Sequence, residues 1–135
     1  MEFSAQDTLV FQLKQFGKAI AAFELAIVQD EGDVKSRNSL LLSYVFTFEM
    51  AMKALRAALV VRGLETPDYA TAVLKAAFRA RLIDDPSLWE LLRDHRNDVS
   101  HAYDEGKAIV IAAYVREFAG AAFHAVAQRL EHDDA

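Results

Sequence analysis

The chain has 135 residues, with 20 acidic against 15 basic side chains and a net charge of −5, a balance that argues against a general nucleic-acid binder and against DNA as a partner, because backbone binding rests on a positive face. Its 53% hydrophobic content with only 5 Gly and 2 Pro is that of a compact helical protein and excludes a loop-rich, repetitive or disordered chain. The absence of cysteine excludes a disulfide framework, a thiol nucleophile and a thiolate metal site.

By length the chain is one domain, 1–135, in which a helical core comes close to its limit of burial without a partner, so self-association is expected. Met1 to Gln6 lacks a basic region followed by an apolar run, and no apolar stretch reaches the roughly 18 residues of a membrane span; a soluble, cytoplasmic protein is expected. The first helix is predicted over Ala5 to Val28, because Leu9, Leu13, Phe16, Ile20, Phe23 and Ile27 recur at spacings of four and three. Asp30-Glu31-Gly32 breaks it, and Asp33, with Ser36 three residues on, offers the N-cap of a second helix. That helix carries Leu41, Val45, Phe48, Met52, Leu55 and Leu59 until Gly63 stops it. Phe46, Phe48 and Met52 read as a core stripe, with an aromatic base pocket as the competing reading.

Thr66-Pro67 predicts a cap and a first-turn proline for a short third helix through Arg81. Asp85-Pro86 repeats that signature and opens a fourth helix, with Trp89 as a bundle anchor, ending near Asp104-Glu105-Gly106. The fifth, Lys107 to Leu130, is apolar over most of its circumference apart from Glu117, His124, Gln128 and Glu131, so burial against both the bundle and a second subunit is expected. Between Lys53 and Arg81 stand six cations against Glu65 and Asp68, while the acids gather at Asp30 to Asp33 and Glu131 to Asp134. A solvated helix face and a basic patch beside Arg93 and Arg96 are both open readings. The expected fold is all-α, an up-and-down antiparallel bundle of about five helices.

The fourth helix carries an unusual polar run, Arg96-Asn97-Asp98-Val99-Ser100-His101-Ala102-Tyr103-Asp104-Glu105. At roughly 100° per residue Val99 and Ala102 face the core with Leu88, Leu91 and Leu92, Arg96 shares a line with Ser100 and Tyr103, and Asn97 stands with His101 beside it. Asn, Ser and His are mediocre helix formers compared with the Glu, Lys and Gln of an ordinary solvated face, so their clustering points to contact or chemistry. Arg96 and His101 are then expected to reach one ligand group together. His95, His124 and His132 have no partner at ligand spacing, so no metal site and no cofactor are assigned.

Arg96, four residues, His101, one residue and Tyr103 match the Arg-x4-His-x-Tyr motif of HEPN (higher eukaryotes and prokaryotes nucleotide-binding) proteins encoded beside minimal nucleotidyltransferases. Phe46-Thr47-Phe48-Glu49 with Lys53, Pro67, Ala77-Phe78, Leu82-Ile83-Asp84, Trp89 and Asp104-Glu105 extend the likeness from about Asp33 to Ala108, and resemble the nucleotidyltransferase substrate-binding branch. Met52 stands where that branch has a tryptophan and Val45 where a carboxylate is common. The resemblance implies the HEPN subunit of a two-component toxin–antitoxin pair, partnered by a separately encoded minimal nucleotidyltransferase. It implies a metal-independent endoribonuclease acting on RNA; a homodimer is expected separately, because one Arg96–His101 pair makes a meagre site and two could supply separate acid and base. Arg96 would neutralise phosphoryl charge and His101 move protons, Asn97 and Ser100 would orient phosphate or imidazole, and AMP transfer to Tyr103 would silence the enzyme. The alternative is a non-enzymatic subunit that binds nucleotide or substrate for the transferase.

Overall fold

The structure, a computed structural model, describes residues 3–101 and 104–132. Its order is α1 (Ala5–Gln29), α2 (Val34–Val61), α3 (Ala70–Arg79), α4 (Pro86–Asp98), a 3₁₀ turn (Val99–His101) and α5 (Glu105–Glu131). These helices form the expected antiparallel bundle. Ser4 opens α1 in a reciprocal capping box with Asp7, and Asp33 caps α2 by accepting from the Ser36 N–H at 2.8 Å.

Phe123 of α5 is the hub of the core. Its ring meets Phe16 and Phe23 edge-on, at centroid separations of 6.0 and 5.5 Å, and stands 6.0 Å from Tyr44 and 6.1 Å from Trp89. Trp89 is buried, the bundle anchor that the sequence indicated. The buried Tyr44 hydroxyl donates to the Leu92 carbonyl and so ties α2 to α4. Burial pushes that phenol up, so it stays a neutral donor.

Polar ties close one end of the bundle. Asp30, after α1, receives the Gly32 N–H and the Ser36 hydroxyl, both at 3.0 Å, and pairs with Arg116 of α5. Nearby, buried Arg37 donates to the Gly32 carbonyl at 2.8 Å and lies 3.7 Å from Glu105. Together they fix where α5 begins relative to the α1–α2 turn.

Three expectations require correction. The third helix begins at Ala70 rather than Pro67, because the Thr66 carbonyl, which a helix starting there would use for its first turn, accepts instead from Arg56 Nε at 3.0 Å. The fourth helix stops at Asp98 and tightens into the 3₁₀ turn, where the Ser100 hydroxyl donates to the Asn97 carbonyl at 3.0 Å. Finally, α5 is long and apolar enough by length and composition to cross a membrane, although no such stretch was expected. Nine of its residues, from Ala108 to Leu130, are buried in the bundle, while others, Ile109, Val110 and Phe118 among them, stand exposed.

Candidate functional site

Beside the motif helix, α2, α4 and the start of α3 enclose a cavity of about 400 Å³. Phe48, Glu49, Met52 and Lys53 come from α2, Asp68 to Thr71 and Val73 from the α3 entrance, and Arg93, Arg96 and Asn97 from α4. Helical spacing explains each contribution. Glu49 and Lys53 are four apart on α2, and Arg93 and Arg96 are three apart on α4, so each helix offers one polar line to the cavity.

Arg96 is aimed by Glu49, whose carboxylate takes its Nη2 at 2.6 Å, a short charge-assisted bond between side chains 37% and 45% exposed. Its Nη1 reaches Asn97 Oδ1 at 3.4 Å. Arg93 donates to Thr71 Oγ1 at 2.9 Å and pairs with Asp94 at 3.0 Å. Lys53 is exposed. A second cavity of about 260 Å³ continues past it, sharing Lys53 and Asp68 and bordered by Thr8, Gln12 and Arg56.

Arg96 and Asn97 line the cavity, while Ser100, whose hydroxyl bonds the Asn97 carbonyl, and His101 follow them exposed on the 3₁₀ turn and do not line it. Three residues of 3₁₀ geometry turn about 20° further each than α-helix, so His101 rotates by roughly 60° from its expected bearing. His101 is therefore not among the residues that line the cavity with Arg96. Tyr103 lies outside the described residues.

The basic residues between Lys53 and Arg81 divide. Lys53 joins Arg93 and Arg96, whereas Arg62 donates to the Ala80 carbonyl at 2.9 Å and holds the end of α3. Of the aromatic stripe, Phe48 is buried core, Met52 half-lines the cavity and Phe46 is 54% exposed. Tyr69, Thr71 and Asp68 went unread as site residues; the signal available was the Glu49–Lys53 spacing on α2, opposite which a polar loop had to lie. His95 stacks on Tyr114 with centroids 4.5 Å apart, and its buried Nδ1 has no hydrogen-bond partner among the described residues.

The chain matches the family model described as nucleotidyltransferase substrate binding protein like over residues 11–132. It is 33% identical over 79 residues to the probable ribonuclease HepT of Haemophilus influenzae, an alignment covering 56% of this chain and 54% of that protein. The chain therefore spans about half the length of the curated relative it matches. A Thermus thermophilus protein of known crystal structure superposes with a TM-score of 0.79 at 25% identity, covering 87% of this chain and 99% of that one. Fold, motif and a match spanning nearly the whole bundle agree, and the chain belongs to the HEPN-like nucleotidyltransferase substrate-binding family.

Proposed function

We propose that this protein is the HEPN subunit of a minimal nucleotidyltransferase system and a metal-independent endoribonuclease that acts as a cytoplasmic homodimer. The observation that carries the reading is Arg96, held by Glu49 at the wall of an open cavity with its guanidinium partly exposed. An RNA phosphate competes there for a cation already oriented.

Cleavage needs the O2′–P bond to form while the P–O5′ bond breaks, leaving a 2′,3′-cyclic phosphate and a 5′-hydroxyl. One imidazole takes the O2′ proton, another protonates O5′, and Arg96 stabilises charge on the phosphoryl oxygens. One His101 cannot serve as base and acid at once. Two chains supply both, and exposed apolar residues on α4 and α5, among them Leu91, Ile109, Val110 and Phe118, offer a surface for the second copy. AMP transfer to Tyr103 by the partner enzyme would add negative charge and bulk near the motif and silence it.

A second reading, the non-enzymatic substrate-binding subunit, is favoured by one observation: His101 does not line the cavity that Arg96 lines. The test is RNA cleavage by the purified protein in a chelator, with cyclic-phosphate ends expected and both Arg96→Ala and His101→Ala inactive yet folded. Activity surviving both substitutions, or no cleavage of varied single-stranded RNAs and tRNAs, favours the binding subunit. Intact mass after incubation with ATP, Mg²⁺ and an adjacently encoded nucleotidyltransferase bearing a Gly-Ser-x10-Asp-x-Asp pattern tests the modification; unmodified protein, or addition undiminished in Tyr103→Phe, overturns it.

A further inference from the structure

We propose that the cavity beside Arg96 is the subsite for the nucleotide flanking the scissile phosphate, with Tyr69 stacking on its base and Lys53 holding its outer phosphate. The inference rests on the ribonuclease reading and extends it to residues outside the motif.

Size is the first argument, since about 400 Å³ falls within the roughly 300–1,000 Å³ of small-ligand pockets. Position is the second: Arg96 and Asn97 line the same cavity as Lys53, which stands one helical turn beyond Glu49, the partner of Arg96. The neighbouring cavity, reached past Lys53 and bordered by Arg56, extends the path by another unit.

The chemistry of the lining suits one nucleotide. Tyr69 is 61% exposed and makes no side-chain cap to α3, so neither the core nor the helix end accounts for an aromatic there. Bases of any identity stack on such a ring. Lys53 lines both cavities and forms no ion pair among the described residues, which leaves its ammonium available to a phosphate. Arg93 is held by Thr71, between Lys53 and the motif. Asp68 adds a carboxylate that repels phosphate but accepts from an exocyclic amine, so adenine, cytosine or guanine fits better than uracil. The cavity lining carries Lys53, Arg93 and Arg96 against Glu49 and Asp68, a local positive excess in a chain of net charge −5.

Two measurements separate this inference from the function it rests on. Anisotropy of a fluorescent 2′-O-methyl oligonucleotide, which cannot be cleaved, reads binding alone; steady-state cleavage of the matching RNA reads catalysis. Tyr69→Ala is expected to weaken binding and raise KM about tenfold, with kcat falling much less, while Tyr69→Phe retains both. Lys53→Ala is expected to lower the slope of log affinity against log salt by about one, uniformly across sequences. Asp68→Asn flattens the preference against uridine. Cleavage by the wild type with binding, KM and salt slope unmoved in Tyr69→Ala and Lys53→Ala overturns the subsite and leaves the ribonuclease standing. No cleavage, but binding that depends on both residues, overturns the ribonuclease and leaves the subsite; a wild type that neither binds nor cleaves overturns both.

Discussion

Arg96 and Glu49 are a pair whose worth lies in aim rather than in stability. Both side chains are more than a third exposed, and such pairs contribute about 0–1 kcal/mol. Glu49→Ala is therefore expected to change the unfolding free energy from urea melts by no more than that while cleavage falls about tenfold, as a mis-aimed guanidinium loses transition-state contacts; equal losses in stability and activity would contradict it. Arg81 poses the opposite case, standing at φ 62 just after α3, where the Leu82 N–H returns to the Ala77 carbonyl at 2.8 Å. Glycine adopts that left-handed backbone without the steric cost that an L side chain carries, so Arg81→Gly should stabilise by about 0.5–1 kcal/mol in urea melts. Asp33 ties stability to pH. Hydrogen bonds from Ser36 hold its carboxyl below the ordinary 3.8, so its contribution is present above about pH 4 and is lost as pH falls through the lowered folded value. Asp33→Asn should flatten the acid limb of the thermal midpoint below about pH 4 and leave no extra dependence at neutral pH.

Helices were legible in the sequence where periodicity was long, and less so where a side chain from another element decided the boundary. The starts of α1 and α2 sit at Ser4 and Asp33 because their caps are local, within three residues. The start of α3 depends on Arg56 taking the Thr66 carbonyl from ten residues away, and local spacing carries no record of that bond. The same limit applies to the site. Arg96 and Asn97 were legible as a polar run, but Tyr69 and Thr71 join them only through the packing of α3 on α2 and α4. The 3₁₀ turn that redirects His101 was hidden because the run continues the polar pattern of the helix before it. Burial follows periodicity at Phe123 but not throughout: Phe46, read with the core stripe, and Leu91, read as core-facing, are 54% and 47% exposed. Phe123→Ala removes the ring on which Phe16, Phe23, Tyr44 and Trp89 converge and should cost about 3–5 kcal/mol. Phe46→Ala, at a position 54% exposed, should cost under about 0.5 kcal/mol. Denaturant titration of the two variants checks the contrast, and similar losses would mean that Phe123 is not the hub.

For the whole molecule, the separation of His101 from the cavity bears on how many chains make a site. A single protomer presents Arg96 at the cavity wall and an exposed His101 imidazole outside it. Phosphodiester cleavage by the proposed route needs both, together with a second proton carrier. A twofold partner would resolve this if the axis passed near the 3₁₀ turn, since an isologous interface uses the same patch of both copies. On α5, Ile109 and Val110 lie in the first two turns after the motif, and Val110 is 62% exposed. Phe118, two turns further, is 41% exposed and stacks on Tyr114, 4.7 Å away. An interface here would bury these residues and draw the two 3₁₀ turns together. Val110→Asp combined with Phe118→Asp places two unpaired charges in that contact, while each position tolerates them in a monomer exposed to water. Light scattering at micromolar concentration should show a dimer for the native chain and half that mass for the double variant, whose helical circular dichroism stays unchanged. Cleavage should vanish with the dimer and return in mixtures only if a heterodimer forms. A monomeric double variant that still cleaves RNA at the native rate would show that one chain holds a whole site.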